Sequence, residues 1–174
     1  MASSASFAER MKNGDKLEDA IEEIGVEGIG ALYWYATNLG KWAKKEGFAV
    51  LLGQKDKVKA IMERCLALDP NFFYGAPDRY FGAFYAIAPS FAGGDLTKSA
   101  EHFKKSLEIA PNYIGTRVLM AENLAPKTQD PAMFDEQLKL VLEAADDVIP
   151  ELKAEIAVEK TKAKELQAKK EDLF

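Results

Sequence analysis

Apolar side chains recur along this chain every three or four residues, and never every two for long. Leu17, Ala20, Ile21 and Ile24 share one helical face. So do Val58, Ile61, Met62 and Cys65, then Ala100, Phe103, Ser106 and Leu107, then Phe134, Leu138, Val141 and Leu142. This spacing marks amphipathic helices rather than strands. An aspartate stands ahead of each set: Asp15, Asp56, Asp95 and Asp130, separated by 41, 39 and 35 residues. Asn13-Gly14, Gly53-Gln54-Lys55 and Gly93-Gly94 precede the first three, and Pro131 follows the fourth. An aspartate there accepts bonds from the free N–H groups of the first turn, and its charge suits the positive end of the helix dipole. Each of the four is therefore predicted to cap a helix. Asp15 and Glu18 add the spacing of a capping box.

Two of the predicted helices end alike, at Leu68-Asp69-Pro70-Asn71-Phe72 and Ile109-Ala110-Pro111-Asn112-Tyr113. Proline cannot continue a helix, and the aromatic two residues on can pack back against the bend. Further helices fit at about 29–45, 75–88 and 112–124, with a shorter one at about 4–12. The predicted fold is all-α in a single domain over 1–174. It is a tetratricopeptide-like right-handed α-solenoid of about four helical hairpins, at 4–24, 29–68, 75–109 and 112–146, with a C-terminal capping helix at about 150–170. Gly82, Tyr85, Phe103 and Pro111 occupy consensus-like places in the third hairpin, and Met62, Cys65 and Pro70 in the second. Leu152, Ile156, Ala163 and Leu166 give the closing helix its apolar side.

Composition then removes whole classes of function. The 174 residues carry 23 Lys and Arg against 28 Asp and Glu, a net charge of −5. That balance argues against a nucleic-acid partner, which would need a basic face to displace counterions. The longest apolar runs, such as Phe48 to Leu52, fall far short of the roughly 18 residues of a membrane span, so no transmembrane segment is expected. Met1 to Ser6 has neither a charged n-region nor an apolar h-region. Two locations follow: cytoplasmic if this start is native, or exported if a signal has been removed.

Chemistry is sparse. A single cysteine, Cys65, and a single histidine, His102, leave no Cys-based zinc site and little triad chemistry. Cys65 sits on the apolar face of its helix and is predicted to be a core thiol. His102 is predicted to be an exposed or rim histidine, since a general base would need an orienting carboxylate and a pocket. Gly93-Gly94-Asp95-Leu96-Thr97-Lys98-Ser99 lacks the glycines of a phosphate loop and reads as a turn plus cap. Gly25, Gly28 and Gly30 are not spaced for a dinucleotide fingerprint. No catalytic residue, metal or cofactor is predicted.

The aromatic residues are the informative feature. Tyr33, Trp34, Tyr35 and Trp42 crowd one helix, and Tyr74, Tyr80, Phe81, Phe84 and Tyr85 crowd another. First helices of such repeats line a concave surface. Core packing claims several of these rings, and Trp and Tyr also suit a wet groove because they pair apolar area with a polar tip. The predicted ligand or partner groove comprises Tyr33, Trp34, Asn38, Lys41, Trp42, Tyr74, Arg79, Tyr80 and Tyr85, with Asn38, Lys41 and Arg79 as the orienting polar groups.

At these residues the chain resembles a known family. Ala31-Leu32-Tyr33-Trp34-Tyr35-Ala36, Leu39-Gly40-Lys41-Trp42, Leu68-Asp69-Pro70 and Tyr74-Gly75-Ala76-Pro77-Asp78-Arg79-Tyr80 are similar to the T-component (TatT-like) family of TRAP transporters. So are Pro89 followed by Gly93-Gly94-Asp95-Leu96, the stretch Lys162 to Leu166, and the ending Glu171-Asp172-Leu173-Phe174. The resemblance covers about residues 29–174. It implies a helical-repeat, periplasmic protein, usually lipid-anchored, whose signal would be absent from this chain. It also implies a partner, the solute-binding P component of a tripartite ATP-independent periplasmic transporter, and a small hydrophobic ligand. The expected function is that of a non-catalytic accessory protein of such a transporter. The alternative is a generic tetratricopeptide-type adaptor that binds a peptide. Self-association into a homo-oligomer is left open.

Overall fold

The computed structural model describes residues 2–174, with side chains from residue 5 onward. Met1, in the stretch read for a targeting signal, lies outside the described residues, as do the side chains of residues 2–4. The described chain is helical, and no strand occurs among the described residues. It forms two compact units, Met1–Phe72 and Phe73–Phe174.

The first unit opens with α1 (Ala2–Lys12) and passes through short turns at Leu17–Ala20, Ile21–Glu23 and Val26–Gly28. Two long helices follow, α2 (Ile29–Glu46) and α3 (Phe48–Leu68). A single residue, Gly47, joins them at φ 113°, a left-handed conformation that side-chain-bearing residues avoid. Burying Leu32, Tyr33, Ala36 and Ala43 of α2 and Val58, Ile61, Met62 and Cys65 of α3 gives this hairpin its core. Ala20 and Ile21 are buried too. Arg64 of α3 holds the preceding turn: its guanidinium donates to the carbonyls of Ile24 and Glu22, both at 2.8 Å, and to the Glu22 carboxylate at 3.1 Å.

Two of the four predicted caps are corrected here. Asp56 lies in the interior of α3, exposed and paired with its neighbour Lys55. The hairpin core keeps α3 helical through Gly53-Gln54-Lys55, so the polar stretch that looks like a turn is the solvent side of a continuous helix. Asp15 also caps nothing. Its carboxylate accepts from Arg10 Nε at 2.6 Å, and the short helix that follows begins after Lys16 without a side-chain cap, so the capping box with Glu18 is absent.

The other two caps are as predicted. α4 (Phe72–Ile87), which belongs to the second unit from Phe73 onward, is followed by α5 (Leu96–Ile109), where Asp95 accepts from the N–H groups of Thr97 and Lys98. α6 (Ile114–Leu119) runs on through a π-helical turn at Met120–Leu124 to Ala125–Thr128. Gln129, at φ 52°, ends that helix. Asp130 then caps α7 (Pro131–Glu143) by accepting from Met133 N at 2.8 Å. α8 (Lys153–Ala168) closes the unit. Its Ile156 and Ala163 enter a core with Ile114, Val118, Ala121, Phe134, Leu138 and Val141.

The contact between α4 and α5 sets the register of the candidate site. Gly82 lies against the Phe103 ring, and Ser99 Oγ donates to the Gly82 carbonyl at 2.6 Å. Because side chains four apart on a helix share a face, the positions one turn from this contact also oppose each other.

Candidate functional site

The predicted groove residues of the first unit all lie on α2. Tyr33 is buried and meets Trp34 and Phe72 edge-on, with ring centroids 5.0 and 5.4 Å apart. Trp34, Tyr35 and Trp42 instead stand about half exposed, at 47, 50 and 48%. Asn38 and Lys41 are exposed between them, and Asn38 Nδ2 donates to the Trp34 carbonyl at 2.7 Å. Trp34, Asn38 and Trp42 follow one another at four-residue spacing, so they form a row along the outer face of α2. Tryptophan gives up a large apolar area to a partner, and such exposed rings are the usual anchors of protein contacts.

Of the predicted residues of the second unit, Tyr74 and Arg79 meet at an unusual backbone segment, and Tyr80 and Tyr85 lie farther along α4. Phe73, Tyr74 and Gly75 are consecutive left-handed residues, at φ 42, 61 and 69°. Glycine takes this conformation freely, whereas Phe73 and Tyr74 each carry about 1–2 kcal/mol of strain. Regular α4 geometry begins only after them, with Pro77 in its first turn. The side chain of Arg79, 5% exposed, turns back on this segment: Nη1 donates to the Tyr74 carbonyl at 2.9 Å and Nη2 to the Phe73 carbonyl at 3.3 Å. Its guanidinium also lies 4.0 Å from the centroid of the Tyr113 ring. Tyr74 stacks on Tyr113 at 5.4 Å and 15°. The two phenols are both tied to carboxylates, Tyr74 to Glu151 at 2.6 Å and Tyr113 to Glu155. The bond from Tyr74 holds the Glu151 carboxyl below its usual range, and Glu151 in turn pushes the Tyr74 phenol up.

Farther along α4, Tyr80 stacks on Phe84 at 6.0 Å. Tyr85 stacks on His102 at 5.5 Å and 22°. His102 is a correction to the rim reading. Its side chain is mostly buried, and Nδ1 lies 2.7 Å from the carboxylate of Asp78, itself buried. An oriented imidazole needs a nucleophile or a substrate proton to do acid–base work. The neighbours of this one include Asp78, Phe81 and Tyr85, which make a clasp between α4 and α5. With Gly82 set against Ser99 and Phe103, Asp78 one turn earlier comes beside His102, a pairing that follows from the α4–α5 register and not from any local pattern. Tyr113, Glu151 and Glu155 were also missed, and no local pattern marks them.

Cys65 is fully buried, and burial pushes its thiol up to about 11. No group of three or more metal-ligating side chains occurs among the described residues. No described helix is long and apolar enough to cross a membrane. The whole chain, residues 1–174, matches the model of a family described as the TRAP transporter T-component. No curated protein matches the chain.

Proposed function

The chain belongs to the TRAP transporter T-component family, and on that premise we propose that it is a non-catalytic accessory protein that docks the periplasmic solute-binding protein of such a transporter. On this reading the chain is a tetratricopeptide-like helical-repeat scaffold acting on the periplasmic side of the membrane. The exposure of Trp34, Tyr35 and Trp42, each about half in water on α2, is the observation that carries it. Three large rings with Asn38 and Lys41 between them supply the apolar anchors and orienting polar groups of a protein contact. A small hydrophobic ligand fits the same chemistry, and the reading assigns its aromatic contacts to Trp34 and Trp42 of α2.

The test is association with the solute-binding protein encoded beside this gene, followed by native mass spectrometry and calorimetry. A complex weakened by Trp34→Ala supports the reading. With both proteins folded and lipid or hydrophobic ligand supplied, no association at tens of micromolar, a free energy of about −6 kcal/mol, overturns it. Binding of unrelated extended peptides with the same affinity would instead favour a generic adaptor.

A further inference from the structure

The turn between α2 and α3 combines exposed apolar side chains with a local excess of positive charge. Phe48, the first residue of α3, is 59% exposed, Leu52 one turn later 38%, and Trp42 in the last turns of α2 48%. Lys41, Lys44 and Lys45 are exposed beside them. None of these three lysines is ion-paired with a described residue, whereas Lys55, Lys59, Lys98, Lys160 and Lys170 all are. From Lys41 to Lys57 five lysines face two acids, Glu46 and Asp56, in a chain whose net charge is −5. Gly47 alone connects the helices, so the two sets of residues share one hairpin tip.

We infer that this tip is a contact site for an anionic lipid surface. Apolar rings with lysines beside them suit the boundary between headgroups and acyl chains. The rings leave water there, and the ammonium groups stay among the phosphates on their flexible stems. An acidic protein partner could satisfy the lysines, and an apolar one could satisfy Phe48 and Leu52. A bilayer surface satisfies both at once, with no shape demanded of a one-residue turn. The charge pattern sets the lipid: each lysine near an anionic surface strengthens binding about fivefold, and the effect fades with salt. The acidic remainder of the chain is repelled by the same surface, which orients the molecule tip-first.

The experiment uses the full chain with Trp34→Phe, which leaves Trp42 as the fluorescent reporter. Vesicles of phosphatidylglycerol and phosphatidylcholine are compared with phosphatidylcholine alone. The expected result is a blue shift of Trp42 and co-sedimentation with the anionic vesicles, lost at high salt and weak with the neutral ones. Lys44→Glu with Lys45→Glu should weaken vesicle binding at least about 25-fold. Phe48→Ser with Leu52→Ser should abolish the blue shift. Both pairs are exposed, so circular dichroism melts should match the parent. Absence of binding to anionic vesicles overturns the inference, as does binding that both double variants leave intact. Loss of solute-binding-protein association in these variants, with no vesicle binding by the parent, would reassign the tip to a protein contact. Trp42 and Lys41 also belong to the proposed docking surface, and both double variants leave them in place, so the vesicle result is read separately from the Trp34→Ala test above.

Discussion

Gly82 and Phe103 meet so closely that a Cβ at position 82 would stand 2.6 Å from the Phe103 ring. Two helices approach here because one of them carries no side chain. Gly82→Ala should therefore destabilise the protein although alanine is the better helix former, by about 1–3 kcal/mol in urea unfolding. Adding Phe103→Leu should recover part of that loss. If Gly82→Ala stabilises instead, α4 and α5 do not pack as described.

The two aspartate readings can be separated in one comparison. Asp130→Ala removes the acceptor for Met133 N and should cost about 1 kcal/mol. Asp56→Ala, on the exposed side of α3, should stay within about 0.5 kcal/mol of the parent. Equal losses would mean that α3 starts near Asp56 after all.

Arg79→Ala should be the most damaging single change around the left-handed segment. It strips two carbonyls of their donor and Tyr113 of its cation, a loss of about 3 kcal/mol. Arg79→Lys should recover less than half, because one ammonium cannot replace the planar fork. Chemical denaturation read by tyrosine and tryptophan fluorescence measures both.

Cys65 should be silent towards thiol reagents until the chain unfolds. With its thiol pushed up from 9.0 to about 11, the reactive thiolate is about 100-fold rarer than in the unfolded chain at neutral pH, and burial slows it further. The sign for stability follows. The folded state holds the proton more tightly, so the contribution is fully present below pH 9 and is lost as the pH rises towards about 11. Reaction with a disulfide reagent at pH 7.5, in the presence and absence of urea, reads the first effect. Fast labelling of the native protein would place Cys65 at the surface.

Trp34→Ala should cost about 1 kcal/mol of stability or less, since the ring is already half in water. Its effect should appear instead in partner affinity, as a loss of at least tenfold. A melting loss of core size with unchanged affinity would move Trp34 into the core.

How much of this was legible depends on whether the cause was local. Asp95 and Asp130 were readable because a cap acts on N–H groups two and three residues away. Asp56 was misread because its neighbours look like a turn, while residues on the far face of α3, Val58 to Cys65, keep it helical. The apolar stripe of α8 was visible, and Ile156 and Ala163 are indeed buried. His102 was misplaced because its partner, Asp78, is 24 residues away and becomes a neighbour only in the α4–α5 register. The exposed rings of α2 could be listed from the sequence, but separating Tyr33 from Trp34 needed the helix to be seen against its core. The left-handed run was hidden further still. Gly75 permits it, but Phe73 and Tyr74 are residues that local preference would never place there.

That run and Arg79 also constrain how the sequence can drift. A relative that lost the arginine first would keep a strained turn with its carbonyls unmet. One that straightened the turn first would keep a buried cation with nothing to hold. Neither half is a neutral intermediate, so the pair should be inherited together or replaced together. In an alignment of relatives, an arginine at this place should travel with the glycine at position 75, and a lineage lacking one should lack the other.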